Sequence, residues 1–345
     1  MKKKIILGTL VVLLLLAGFI GYKVAGPAVS DKNGKYLYIR SGDGMKELLE
    51  KLDTGKVISS KAWFSRVAGW LNFKSVKPGR YELKNGMSLY AFVRKLRSGD
   101  QSLVKMVIVK ERTREAFASK MGRKFDTECD SLTMIRFINS NDSLQSFGLD
   151  TSTFLSVMLP YTYEIRWNST PARIIEQFQV AYKKFWTPER TAKAAQLNLT
   201  PLQATILASI VEEETTRKAD KLNIASTYLN RLKINMKLQA CPTAKYVSRN
   251  FQLDRITEKQ TSLVSPYNTY LNEGLPPGPI CTPSLESMEA VLNAPATAYL
   301  YFVASYAFDG STIFTSNYDD HMKYARMFQA EQRRRADSVK KARSK

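Results

Sequence analysis

The chain has 345 residues, 44% hydrophobic and 11% aromatic, which excludes global disorder and leaves room for about two domains. Against 31 Asp and Glu stand 52 Lys and Arg, a net charge of +21; this favours a polyanionic partner such as nucleic acid, an anionic membrane face or an acidic polymer. The cysteines Cys129, Cys241 and Cys281 form no C-x-x-C pair, so no metal site is expected, and no cofactor is implied. At the N-terminus, Met1 to Lys4 precede an uncharged apolar run from Ile5 to Tyr22, long enough to span a bilayer with little tilt. Residues 1–4 read as a cytoplasmic tail and 5–22 as a transmembrane anchor. Because Lys2 to Lys4 stay inside, the rest of the chain is expected on the extracytoplasmic (periplasmic) side of the inner membrane. Lys23, Lys32 and Lys35 follow the span, so the asymmetry is modest. A cleaved signal peptide is the alternative, although Val24-Ala-Gly-Pro-Ala28 is a poor cleavage site and no lipobox cysteine follows. An exported domain argues against a nucleic-acid partner, as does the lack of a zinc-finger, RNP or helix-turn-helix signal.

Ser30 to Lys35 reads as a linker. Tyr36 to Arg40 alternates as a strand, Ser41 to Gly44 is a turn, and Met45 to Leu52 is a helix with Leu48, Leu49 and Leu52 on one face. Ser59-Ser60 caps a second helix through Trp63, Val67 and Leu71. Lys77 to Leu83 is a turn and then a strand. Asn85 to Ser88 starts a helix burying Leu89, Phe92, Val93 and Leu96, which Ser98-Gly99 ends, and Val104 to Val109 alternates again. This strand, Gly turn and helix, stated twice over residues 36–110, resembles a LysM-type peptidoglycan-binding module in outline. A small α+β spacer without a ligand fits equally. Residues 111–198 read as a mainly helical connecting region, with turns or helix starts at Asp150 to Phe154 and Trp167 to Pro171, and an amphipathic helix from Ile174 to Trp186.

The most informative stretch runs from Leu199 to Thr216. Thr200 followed by Pro201 is a helix start, and Ile206, Leu207, Ile210 and Val211 fall at helical spacing. At about 100° per residue, Glu214 lies on the apolar stripe, Glu213 at its edge and Glu212 on roughly the opposite side. A carboxyl among apolar side chains tends to stay protonated, as a general acid for glycosidic cleavage must be. A helix end whose glutamates are solvated or paired with Arg217 and Lys218 competes with that reading. Asn223 to Met236 forms another helix with Ile224, Tyr228, Leu229 and Leu232 inward and Asn230 and Arg231 beside them. Lys237 to Lys245 is polar and proline-broken. Ser265 to Tyr270 and Gly274 to Ile280 are loops rich in Pro, Gly, Asn and Tyr, where binding groups commonly sit. Tyr299 to Val303 and Ser311 to Thr315 pair as a hairpin around Phe308-Asp-Gly310. Residues 331–345 form a basic tail.

Together, Ala208 to Thr215, Asn230-Arg-Leu232, Met236 to Gln239, Pro242-Thr243, Tyr246, Tyr267 to Tyr270, Gly274 to Ile280, Thr282-Pro283, Tyr299 to Val303, Phe314 and His321 resemble the endolytic murein transglycosylases, the YceG-like family. The resemblance implies an α+β protein: an N-terminal anchor, a LysM-like module, and a catalytic domain over residues 199–330. It places the catalytic acid on Glu214, the residue the helical wheel singles out. It implies non-hydrolytic cleavage of peptidoglycan glycan strands between N-acetylmuramic acid and N-acetylglucosamine. The products carry 1,6-anhydro ends, the cleavage limits nascent strand length, and the wall-synthesis machinery is a further partner. Asn230, Gln239, Thr243, Asn268 and Thr269 are candidates to bind N-acetyl and hydroxyl groups, or else to lock their loops. His321 either packs the C-terminal helix or touches substrate. Three departures stand out. Cys241 replaces the Asp usual before Pro-Thr, Cys281 replaces a small residue before Thr282, and Tyr161 follows Pro160 where an Asp is usual. Two cysteines at two motif positions suggest a Cys241–Cys281 disulfide. A membrane-anchored peptidoglycan-binding or division scaffold without chemistry is the alternative function.

Overall fold

The structure is a computed structural model, described over residues 2–125, 129–253 and 255–343. Helix α1 (Lys2–Ala25) has a mean hydropathy of 2.6 over its most apolar window and buries none of it. At 1.5 Å per residue its 24 residues extend about 36 Å, against a hydrocarbon core of about 30 Å. By length and composition it can cross a membrane.

The chain divides into two units with separate cores. The first takes the described residues of Met1–Met106, Lys120–Met134 and Tyr163–Ile174. Strand β1 (Tyr36–Ile39) precedes helices α2 (Met45–Thr54) and α3 (Lys61–Trp70), then β2 (Gly79–Glu82) and α4 (Leu89–Ser98). β1 and β2 pair antiparallel, with Tyr36 opposite Glu82 and Ile39 opposite Gly79. Of the expected apolar faces, Leu48 and Leu52 of α2, Val67 of α3, and Leu89, Phe92, Val93 and Leu96 of α4 are buried, while Leu49, Trp63 and Leu71 are half-buried. Ser60 and Ser88 accept from the Trp63 and Ala91 N–H groups as N-caps. Gly99 closes α4 at φ 75°, a left-handed cap that glycine adopts without penalty. Strand β3 (Val104–Val107) pairs with β4 (Thr162–Ile165), a strand the helical reading of 111–198 did not contain.

The second unit takes Val107–Ser119, Ile135–Thr162 and Ile175–Lys345. Between the strands lie helices α5 (Arg114–Phe125), α6 (Ser131–Ile138) and α7 (Asn141–Gln145), and a 3-10 turn at Phe154–Val157. After them come α8 (Pro171–Phe185), α9 (Pro188–Gln196), α10 (Pro201–Glu214), α11 (Lys218–Lys233), α12 (Cys241–Val247), α13 (Glu258–Thr261) and α14 (Leu285–Leu292). The expected hairpin follows as β5 (Tyr301–Ala304) paired antiparallel with β6 (Thr312–Thr315), and α15 (Tyr318–Arg343) packs on both. Phe308 and Gly310 take positive φ at its tip. Helix α10 is the centre of this core. It packs against α11, α12 and α14, and every residue from Ala204 to Val211 is buried. Burial along these two turns therefore extends all round α10, beyond the apolar stripe. Other elements of this unit also correct the sequence reading. The segment around Pro242 is a helix, α12, because proline is tolerated in a first turn where its N–H would be unpaired anyway. Helix α14 occupies a stretch assigned to no element.

Candidate active site

Thr200 caps α10 by accepting from the Gln203 N–H while the Gln203 side chain accepts from the Thr200 N–H. The helix ends at Glu214, and Thr215 is already extended. Its three terminal glutamates meet three different fates. Glu212, on the side away from the apolar stripe, is enclosed there rather than solvated. It is caged by Lys221 at 3.2 Å and Lys110 at 3.3 Å, and accepts from the Ser284 and Ser287 hydroxyls at 2.5 and 2.6 Å. Burial pushes its carboxyl up, but those hydrogen bonds and cations outweigh burial and hold it at about 2. Glu213 accepts a two-pronged bond from Arg112, at 3.0 and 2.9 Å, and pairs with Lys110 at 3.2 Å.

Glu214 alone enters a cleft of about 320 Å³. Its Oε1 accepts the Tyr228 hydroxyl at 2.5 Å. Burial pushes its carboxyl up to about 7, against the Tyr228 hydrogen bond and the Lys245 and Arg231 charges, which favour the anion. Among the described residues it is the only carboxylate lining the cleft. Arg231, also buried, does not pair with it. Its Nε donates to the Leu300 carbonyl at 2.7 Å and its Nη1 to the Leu238 carbonyl at 2.6 Å. Arg231 thereby ties the start of the hairpin to the segment before α12, two walls of the cleft. Tyr301 and His321 stack at 5.3 Å on a third wall. The His321 Nδ1 has no hydrogen-bond partner among the described residues, and burial lowers its pKa.

Of the five candidate binding residues, Gln239 lines this cleft. Its left-handed backbone (φ 48°) is held by its N–H bonding the Thr269 carbonyl at 3.1 Å. The other four hold structure. The Asn230 amide donates to the Thr297 and Tyr299 carbonyls, each at 2.9 Å. Thr243 and Thr269 are buried and share a hydroxyl bond at 2.8 Å. Asn268 donates to the Thr261 and Leu263 carbonyls at 2.9 and 2.8 Å. Sequence reasoning did not select Tyr228, Arg231 or Tyr270 as site residues. Arg231 sat in a quoted motif and Tyr228 on a stated helix face, so the signal was present, but a buried tyrosine on an apolar face reads as core. The Cys241–Cys281 disulfide is not formed; Cys129, Cys241 and Cys281 are all free. The Cys241 Sγ lies 3.2 Å from the Tyr270 hydroxyl, on the cleft, whereas the buried Cys281 Sγ lies 3.5 Å from the Ser209 carbonyl of α10.

The sequence pattern that defines the YceG-like family matches residues 37–327. The chain belongs to the YceG-like family. It is 30% identical to an endolytic murein transglycosylase of Bacillus subtilis over 298 residues, covering 83% of this chain and 82% of the relative. An endolytic murein transglycosylase of Streptococcus pneumoniae is 27% identical over 92% of this chain, which spans only 64% of that longer relative. Among solved structures, a YceG-like protein from Listeria monocytogenes superposes with a TM-score of 0.52 at 26% identity, covering 84% of this chain and 98% of that one. The YceG-like match thus spans both units, and α10 with its terminal glutamates falls inside it.

Proposed function

We propose that the chain is an endolytic murein transglycosylase in which Glu214 is the general acid and then the base. The single observation that carries this reading is the Glu214 carboxyl, raised to about 7 in a cleft where it is the only carboxylate among the described residues. Near neutral pH a large share of it is protonated. It delivers its proton to the glycosidic oxygen as the bond to the muramic anomeric carbon breaks, leaving an oxocarbenium-like centre. The resulting carboxylate, favoured by the Tyr228 hydrogen bond, takes the proton from the sugar's own 6-hydroxyl. That oxygen then bonds to the anomeric carbon and closes the 1,6-anhydro ring. The nucleophile belongs to the substrate, so the second carboxylate of a hydrolase has no task. Gln239, on the cleft wall, is the group placed to meet sugar hydroxyl or N-acetyl groups.

In this reading α1 anchors the chain in the cytoplasmic membrane with both units outside, beside nascent strands whose length the enzyme limits in company with the synthesis machinery. Residues 36–110 act as a LysM-like module that holds glycan; the β1-α2-α3-β2 order supports that role. The net charge of +21 suits an acidic polymer. Glu214→Gln tests the proposal. Its release of anhydromuropeptides from sacculi, followed by mass analysis, is expected to fall by roughly 10²–10⁴-fold, the contribution of a positioned acid. Wild-type release by the Gln variant would remove Glu214 from the mechanism.

A further inference from the structure

We propose that a second recess of the same unit takes the free carboxylate of a peptidoglycan stem peptide, an inference that rests on the reading of the chain as a glycan-cleaving enzyme. The recess holds about 220 Å³. Its cationic groups are Arg114, the first residue of α5, and Arg249, just past α12. Its aromatic wall is Tyr246 against Tyr267, ring centroids 4.9 Å apart. Hydroxyls come from Thr151 and Ser152 in the loop before the 3-10 turn.

Three features point to an anionic, partly apolar ligand. First, Arg114 is half-buried and its guanidinium has no carboxylate partner among the described residues; its Nη1 donates to the Ile138 carbonyl at 3.4 Å. A guanidinium presents a planar fork that suits a carboxylate. Second, Arg249 lies over the Tyr246 ring at 5.6 Å, and its ion pair with Glu115 is 3.6 Å long between side chains each more than half exposed. Such a pair is weak and exchangeable. Asp150, the other nearby acid, is occupied by the Ser152 and Thr153 N–H groups at 2.7 and 2.8 Å. Third, the Thr151 and Ser152 hydroxyls have no partner among the described residues.

The recess is placed to act with the acid cleft. Helix α12 joins them: Cys241, its first residue, lines the cleft, and Tyr246 lines the recess. Five residues place them about 7.5 Å apart along the axis and roughly 140° apart around it. A strand that bends around α12 reaches both, its sugar at Glu214 and its peptide carboxylate between the arginines, with the tyrosine rings covering aliphatic parts of the stem.

The full-length chain in detergent is given two substrates, glycan strands bearing stem peptides and strands stripped of them by an amidase. Wild type is expected to release anhydro ends from the first with a kcat/KM at least about tenfold higher, the worth of one charged hydrogen bond. In an Arg114→Gln/Arg249→Gln protein that ratio should collapse toward one. Arg249→Gln alone, at an exposed site that does not threaten folding, should lower it in part. A wild-type ratio near one, or a ratio the double variant retains, overturns the proposal. Wild type that releases no anhydro ends from either substrate marks failure of the enzymatic reading instead. Calorimetric titration with a soluble muramyl peptide then decides the recess. Binding lost in the double variant supports it, and absent or unaltered binding refutes it.

Discussion

Glu212 and Glu214 lie two residues apart on one helix, yet one carboxyl is held at about 2 and the other pushed up to about 7. Surroundings rather than residue type separate them. The first is in direct contact with donors and cations, while the second is desolvated and hydrogen-bonds one hydroxyl, with its nearby cations unpaired to it. If Glu214 acts first as an acid, kcat/KM should fall as pH rises through about 7. Tyr228→Phe removes a bond that favours the anion, so that limb should move to higher pH, readable from the pH profile alone. Linkage adds a stability test. Glu214 binds its proton more tightly folded than unfolded. Its favourable contribution is present below the ordinary value of 4.5 and is lost as pH rises through about 7. Glu214→Gln is therefore expected to stabilise the protein above pH 7, by up to about 3 kcal/mol, while losing most of its activity. A thermal melt at pH 8 checks it. This residue was legible from periodicity and motif together. The residues that tune it were not, because Tyr228 and Arg231 lie on α11 and meet Glu214 and the cleft walls only through tertiary packing.

At the level of elements, α10 shows why a wheel drawn from one helix misleads. The wheel assumes a single buried side, but α10 is covered by α11, α12 and α14, so Glu212 had nowhere polar to go except a cage. Helix α14 supplies that cage through Ser284 at its N-cap and Ser287 in its first turn, where the positive end of the helix favours an anion. Its short apolar stretch after Thr282-Pro283 carries no long periodic signal, so the element closing the core was not read. The cage should matter for folding. Lys221, 4% exposed, pairs with Glu212 and with Glu286 at 3.0 Å. Lys221→Ala is expected to cost about 2–4 kcal/mol in urea unfolding, since it strands charge in the interior. The Glu212 contribution is present above about pH 4.5 and lost as pH falls through about 2.

For the molecule as a whole, the two units carry separate cores, one around Leu48, Phe64 and Phe92, the other around α10. Their unfolding should separate into two transitions. Phe92→Ala, at a fully buried ring, is expected to lower the first by about 3–5 kcal/mol and leave the second in place, as hydrogen exchange can resolve. The first unit was largely readable, because its caps and apolar faces are local. Residues 107–174 were not, because they alternate between the units, and such sharing leaves no mark in periodicity. Among the three thiols, Cys129 and Cys281 are buried and only Cys241 is exposed. That makes the natural protein a ready carrier for a single spectroscopic label at the rim beside the acid. Although the residue reaches the surface, its sulfur is partly desolvated against the cleft wall and faces the Glu214 charge, which raise the thiol's pKa, so coupling to a maleimide dye should go slowly at neutral pH and faster in mild alkali. The attached dye would then report directly when a sugar chain fills the groove.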